Sequence, residues 1–196
     1  MLLLLVLASL SMFLVSSSGL LVNIYLFLKF FKKPHDNDFS KICHAKTIPN
    51  ILVCAAYLFW AVPLSSFNVS LDQIPILLNS LIEQIGITGP YIGRPILQCL
   101  MSVNIWFGVY FPLRKLQSSR CTDVALIVQL ILITGYLIRN IITSCGAYYS
   151  PQLFTWTADS ECSLALYNTT VIIVLSFSII SNVFTILTFF KLCVER

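Results

Sequence analysis

Charge is scarce in this chain: 10% of its 196 residues are Asp, Glu, Lys or Arg, against 58% hydrophobic. An ordinary globular domain carries about a quarter charged residues. Long polar segments are missing too, so no stretch between the apolar runs is long enough to bury a core of its own. The two histidines, the lack of paired metal-ligand spacing and the lack of a Gly-rich phosphate loop leave the common enzyme signatures without support. An enzyme, a bound cofactor and a nucleic-acid partner are therefore not expected. The spans also carry no charged pair near their centres of the kind a transporter would need.

What is present is apolar sequence in long unbroken runs, with a mean hydropathy of +0.88. A helix that crosses the hydrocarbon core of a bilayer needs about 20 such residues. Five stretches qualify, predicting an all-α membrane protein of a single domain over 1–196: about 2–31, 48–67, 95–113, 124–142 and 164–192. The third is the weakest. The preceding "IGITGPYIGRP" carries Gly86, Gly89, Pro90, Gly93, Arg94 and Pro95, which punctuate a helix, so this span is expected to be short or to start irregularly. The first stretch also resembles the apolar core of a signal peptide. Against cleavage, no basic residue precedes it, and a cut near Ser18 would strand "LLVNIYLFLKFF".

Positive charge gives an orientation, because Lys and Arg beside the spans stay on the cytoplasmic side. Lys29, Lys32, Lys33, Lys41, Lys46, Arg114, Lys115, Arg120, Lys191 and Arg196 fall on one face, ten of the twelve cations. Asp72, Glu83, Asp159 and Glu161 fall on the other, with Arg94 and Arg139. The N-terminus is thus expected outside and the C-terminus inside. The glycosylation triplets at Asn68 and Asn168 lie on the same outer side.

Of seven cysteines, Cys145 and Cys162 flank the loop between the fourth and fifth spans. An oxidising exterior favours a disulfide between them, with Cys99 as the rival partner of Cys162. Asn23, Asn50, Gln129 and Asn182 stand singly in their spans, where amides most often hydrogen-bond across helices. Pro63 is expected to kink the second span.

Four stretches carry a family resemblance. They are "GLLVNIYLFLKFFKKP", "FSKICHAKTIPNILVCAAYLFWAVP", "CGAYYSPQLFTWTADSEC" and "LMSVNIWFGVYFPLRKL". Together they resemble the serpentine chemoreceptors of nematodes, seven-helix G-protein-coupled receptors, and most closely class x. The resemblance implies a multi-pass protein of the plasma membrane, in the sensory cilium of a neuron, with a small-molecule chemical ligand and a G protein as partners. The third helix of family members ends in Asn-Arg-aromatic, then Tyr-Phe-Pro. Here Asn104, Trp106, Tyr110, Phe111 and Pro112 fit that ending, while Ile105 stands where the arginine belongs. Isoleucine has no charge with which to stabilise a resting bundle or contact a G protein. The chain reads as ending after the fifth helix, so an incomplete, signalling-deficient receptor is expected. The alternative is a scaffold or partner subunit that pairs with a full-length relative. Any pocket is expected among the outer ends of the second, third and fifth helices and the two-cysteine loop, with Tyr148, Tyr149 and Trp156 as lids.

Overall fold

The computed structural model describes residues 2–32, 38–70, 73–111, 118–143, 145–158 and 160–194. Lys33, Asp72, Pro112, Arg114, Lys115, Asp159 and Arg196 lie outside them. The described chain forms α1 (Leu2–Phe31), α2 (Asp38–Ala56), α3 (Val62–Ser66), α4 (Ile76–Glu83), α5 (Gly89–Tyr110), α6 (Ser118–Ile142) and α7 (Glu161–Val194). A two-stranded antiparallel hairpin, β1 (Tyr148–Ser150) and β2 (Thr155–Thr157), pairs Tyr149 with Trp156 between α6 and α7. Four helical runs are long and apolar enough to cross a membrane: Leu5–Phe31, Asp38–Ser66, Arg120–Ile142 and Glu161–Val194. Their flanks leave Leu21, Ile131 and Ile179 more than 60% exposed, as side chains facing lipid should be. The protein is an all-α membrane protein with a small hairpin at one end.

Two π-helical turns keep broken-looking sequence helical. Tyr57–Ala61 joins α2 to α3, and Gln84–Thr88 joins α4 to α5. Each stands just before a proline near the start of the next helix, Pro63 or Pro90. A proline removes one N–H and pushes on the carbonyl four residues back. The wide turn gives that ring room, and Val62 and Gly89 donate instead to the carbonyls of Tyr57 and Gln84, five residues back. The second helical run thus continues through Pro63 by a changed hydrogen-bond register.

The same device carries the helix through "IGITGPYIGRP", which begins irregularly, as expected, but does not break. The helix runs from Ile76 to Tyr110, well before residue 95. Its glycines serve packing rather than termination. A Cβ on Gly86 would fall 2.5 Å from the Ala56 Cβ, one on Gly89 3.0 Å from Leu137, and one on Gly93 3.3 Å from Ile133. Gly86, Gly89 and Gly93 therefore form a smooth face on which α2 and α6 approach closely, as small residues allow in membrane bundles.

That face makes α5 the hub, packed against α2, α6 and α7, while α1 packs on α2 and α3. Polar bonds cross several interfaces. Asn50 donates to the Asn23 side chain at 3.0 Å, joining α2 to α1, and Gln129 of α6 donates to the Gly93 carbonyl at 3.1 Å. Ser102 of α5 bonds Ser181 of α7 at 2.8 Å, and Tyr136 of α6 bonds Thr170 of α7 at 3.0 Å. Within lipid such bonds are worth about 0.6 kcal/mol on average. Lys46 departs from its expected loop position. It lies two turns inside α2 with its amine bonded to the Gln98 side chain of α5, so its alkyl stem carries a cation into the bundle.

Candidate functional site

At 22 residues, α5 is about 33 Å long, close to the thickness of the hydrocarbon core. The preceding π turn and α4 carry the helix further, on the side of the Cys145–Cys162 loop. There they meet α3, the end of α6, the hairpin and the start of α7. Tyr149 at 0%, Gln84 at 0%, Asn79 at 2% and Glu83 at 3% exposure are the most enclosed large side chains of this end. Buried polar groups need partners, and these have them.

Asn79 pins the hairpin. Its side-chain oxygen accepts from the Trp60 indole at 2.9 Å and from the Tyr149 backbone N–H at 3.1 Å, and its amide donates to the Tyr149 carbonyl at 3.3 Å. The Tyr149 hydroxyl bonds Ser65 at 2.6 Å, and its ring meets Trp156 edge-on at 5.3 Å between centroids. The hairpin is thereby held on α3 and α4 through Tyr149 of β1.

Glu83 sits beside this anchor. Its carboxylate accepts from the Thr88 hydroxyl, from the Gln84 amide at 2.7 Å and from the Ala147 backbone N–H. Gln84 in turn accepts from Asn140 of α6 at 3.1 Å. Burial disfavours the charged form more strongly than these three donors favour it, so the carboxyl is pushed up to about 7. Gly146 lets the loop backbone pass over the cluster. A Cβ there would lie 2.6 Å from the Ser80 hydroxyl and 3.0 Å from the Gln84 amide nitrogen.

A cavity of about 450 Å³ opens beside Glu83, between α4–α5, the loop and α7. Ile87, Thr88, Tyr91, Trp156, Leu164 and Tyr167 are among its lining residues, with Ala147, Ser163 and Thr170. Its size and its mostly apolar wall with few polar groups are those of a small-molecule site.

Of the expected loop aromatics, only Trp156 lines this cavity. Tyr149 is buried below it as an anchor, and Tyr148 lies on β1 outside the lining. The second helical run contributes no lining residue either. Cys145 and Cys162 form the disulfide, with Cα atoms 5.6 Å apart, and Cys99 is a buried free thiol. Asn68 is exposed in a left-handed turn after α3, while Asn168 is exposed on the second turn of α7. Asn79, Gln84 and Gly146 were not singled out from sequence, and Glu83 only as one of the outer-side charges. The adjacent Glu-Gln pair inside an apolar stretch was the available signal, since uncompensated polar residues there are costly.

The opposite end of α5 is built from rings. Trp106 stacks on Tyr110 at 4.9 Å and meets Phe184 of α7 at 5.4 Å. Lys191 of α7 stands over the Tyr110 ring at 4.9 Å. Ile105 is 41% exposed, Asn104 is half-buried, and Pro112 falls outside the described residues. Lys41 of α2 pairs with Asp123 of α6 at 2.8 Å on the same side.

No curated protein matches the chain. The family described as "Serpentine type 7TM GPCR chemoreceptor Srx" matches residues 13–196. Most of α1, every later helix and the disulfide-closed loop fall inside that match, and the chain belongs to this receptor family.

Proposed function

We propose that the chain is a class x chemosensory receptor that holds a small environmental molecule in the cavity beside Glu83. The single observation that carries this reading is the cavity itself: about 450 Å³, walled mostly by aliphatic and aromatic side chains and bordered by Trp156 of a hairpin fixed at Tyr149. The loop side then faces outward and the end with Lys41 and Lys191 faces the cytoplasm, as the distribution of basic residues favours. The five helical runs form one transmembrane domain over 1–196, with α5 as the third crossing. Asn68 and Asn168 are the glycan acceptors on the outer side, and the plasma membrane of a sensory cilium is the site of action.

Coupling to a G protein is assigned to the far end of α5, around Asn104, Ile105, Trp106 and Pro112. Ile105 offers no cation there, so the reading includes weakened signalling. Purified chain in mild detergent, screened against volatile and water-soluble small molecules by thermal stabilisation, tests the cavity. Stabilisation by some compounds that is abolished in Ile87→Trp, which fills the lining, supports it. No stabilisation by any compound counts against it.

A second reading, a partner subunit of a full-length relative, is favoured by Arg94. This cation is exposed on the flank of α5 and meets no carboxylate among the described residues. Ionisable groups at membrane depth normally face protein or water. Co-purification with a full-length family member that weakens in Arg94→Leu would support this reading.

A further inference from the structure

We propose that the cavity beside Glu83 selects a small organic ammonium ion with an apolar body. This inference rests on the reading of the cavity as a ligand site and specifies the chemistry of its occupant.

The wall supplies both parts of an ammonium site. One is an acid. Glu83 lines the cavity, and among the described lining residues it is the one that can carry a charge. A carboxylate has room for about four hydrogen bonds. Thr88, Gln84 and Ala147 provide three, all from neutral donors, and no cation pairs with Glu83 among the described residues. An N⁺–H donor entering the cavity would take the remaining acceptor position. It would also supply the opposite charge that a buried carboxylate otherwise lacks.

The other part is aromatic. Tyr91 of α5, Trp156 of β2 and Tyr167 of α7 reach the same cavity from three elements. Ring faces attract a cation and also pack its hydrocarbon body. A site for an anion would want basic or N–H-rich walls, and no Lys, Arg or His is in the described lining. A wholly neutral apolar ligand would leave the remaining acceptor position of Glu83 unused.

The test uses two probes of nearly equal shape, cyclohexylmethylammonium and cyclohexylmethanol, titrated against the purified chain in lipid nanodiscs at mildly alkaline pH. The ammonium should bind about tenfold more tightly or better, the ratio expected of one charge-assisted hydrogen bond in a sheltered site. Glu83→Gln keeps the side-chain shape and should remove that preference, bringing the two affinities together. Retained alcohol binding shows that this variant still folds. Tyr167→Leu should weaken the ammonium more than the alcohol, which gives a second test if Glu83→Gln does not fold. Equal affinities in the unaltered chain would overturn the ammonium inference and leave the cavity reading standing. Failure of both probes and of the wider compound screen would overturn both.

Discussion

At its loop side the α4–α5 helix buries Asn79, Glu83 and Gln84 to 3% exposure or less, and hydrogen bonds from α6, the π turns and the loop meet them. At its far end Ile105 is 41% exposed, and Trp106 is held by rings while its indole N–H finds no acceptor among the described residues. Hydrogen bonds fix direction as well as distance, whereas ring contacts tolerate sliding. One helix therefore ties an end fixed by a buried hydrogen-bond network to an end held mainly by ring packing, where the Tyr110 hydroxyl donates to the Leu187 carbonyl of α7 at 3.2 Å.

The sharpest way to break the contrast is to remove its central anchor. Asn79→Ala strands the Trp60 indole N–H and both backbone groups of Tyr149 in a buried setting. At roughly 1 to 3 kcal/mol per stranded group the loss should be about 4 kcal/mol, read as a large drop in thermal midpoint in detergent. A loss below about 1 kcal/mol would show that the hairpin is not anchored there.

The disulfide comes next. Cys145→Ser opens a loop of 17 residues, for which the entropic cost regained by the unfolded chain is about 3 kcal/mol. Lower stability and reduced delivery to the cell surface are expected. An unchanged midpoint would mean that the Asn79 and Tyr149 bonds alone hold the loop, making the two anchors redundant rather than additive.

Glu83 gives the comparison a pH axis. Its carboxyl titrates at about 7 in the folded chain against 4.5 for the free group, so folding favours the protonated form. The stability this supplies is fully present below about 4.5 and is lost as pH rises through 7. The native chain should therefore lose up to about 3 kcal/mol relative to Glu83→Gln between pH 4.5 and 8. Parallel stability curves for the two proteins would show that burial does not disfavour the Glu83 charge.

These experiments concentrate on residues that the sequence shows only dimly, and the reason is physical. Four apolar helical runs are legible because hydropathy is a local property, as at α1 and α7, while the expected third span over 95–113 is not among the described runs long and apolar enough to cross a membrane. The disulfide is legible because its two cysteines share one loop. Glu83 is different, since its meaning depends on Thr88, Ala147 and a cavity wall formed by α7, some 80 residues away. The glycines of "IGITGPYIGRP" mislead for the same reason. A glycine that ends a helix and one that admits a neighbour read alike until Ala56 and Leu137 are placed against it. Lys46 also reads as a loop cation until Gln98 meets it from α5.

The smallest expected effect lies at the far end and sharpens the contrast from its other side. Ile105→Arg places a long cationic side chain at an exposed site, where its stem can lie along the helix and its head can reach the interface. Stability should change by no more than about 0.5 kcal/mol, because no buried partner is gained or lost. The same substitution supplies the cation that Asn104 and Trp106 flank in the family pattern, so any effect should appear in G-protein activation rather than in melting. A stability loss as large as that of Asn79→Ala would show instead that Ile105 belongs to the packed core. The two ends of the helix would then be built alike.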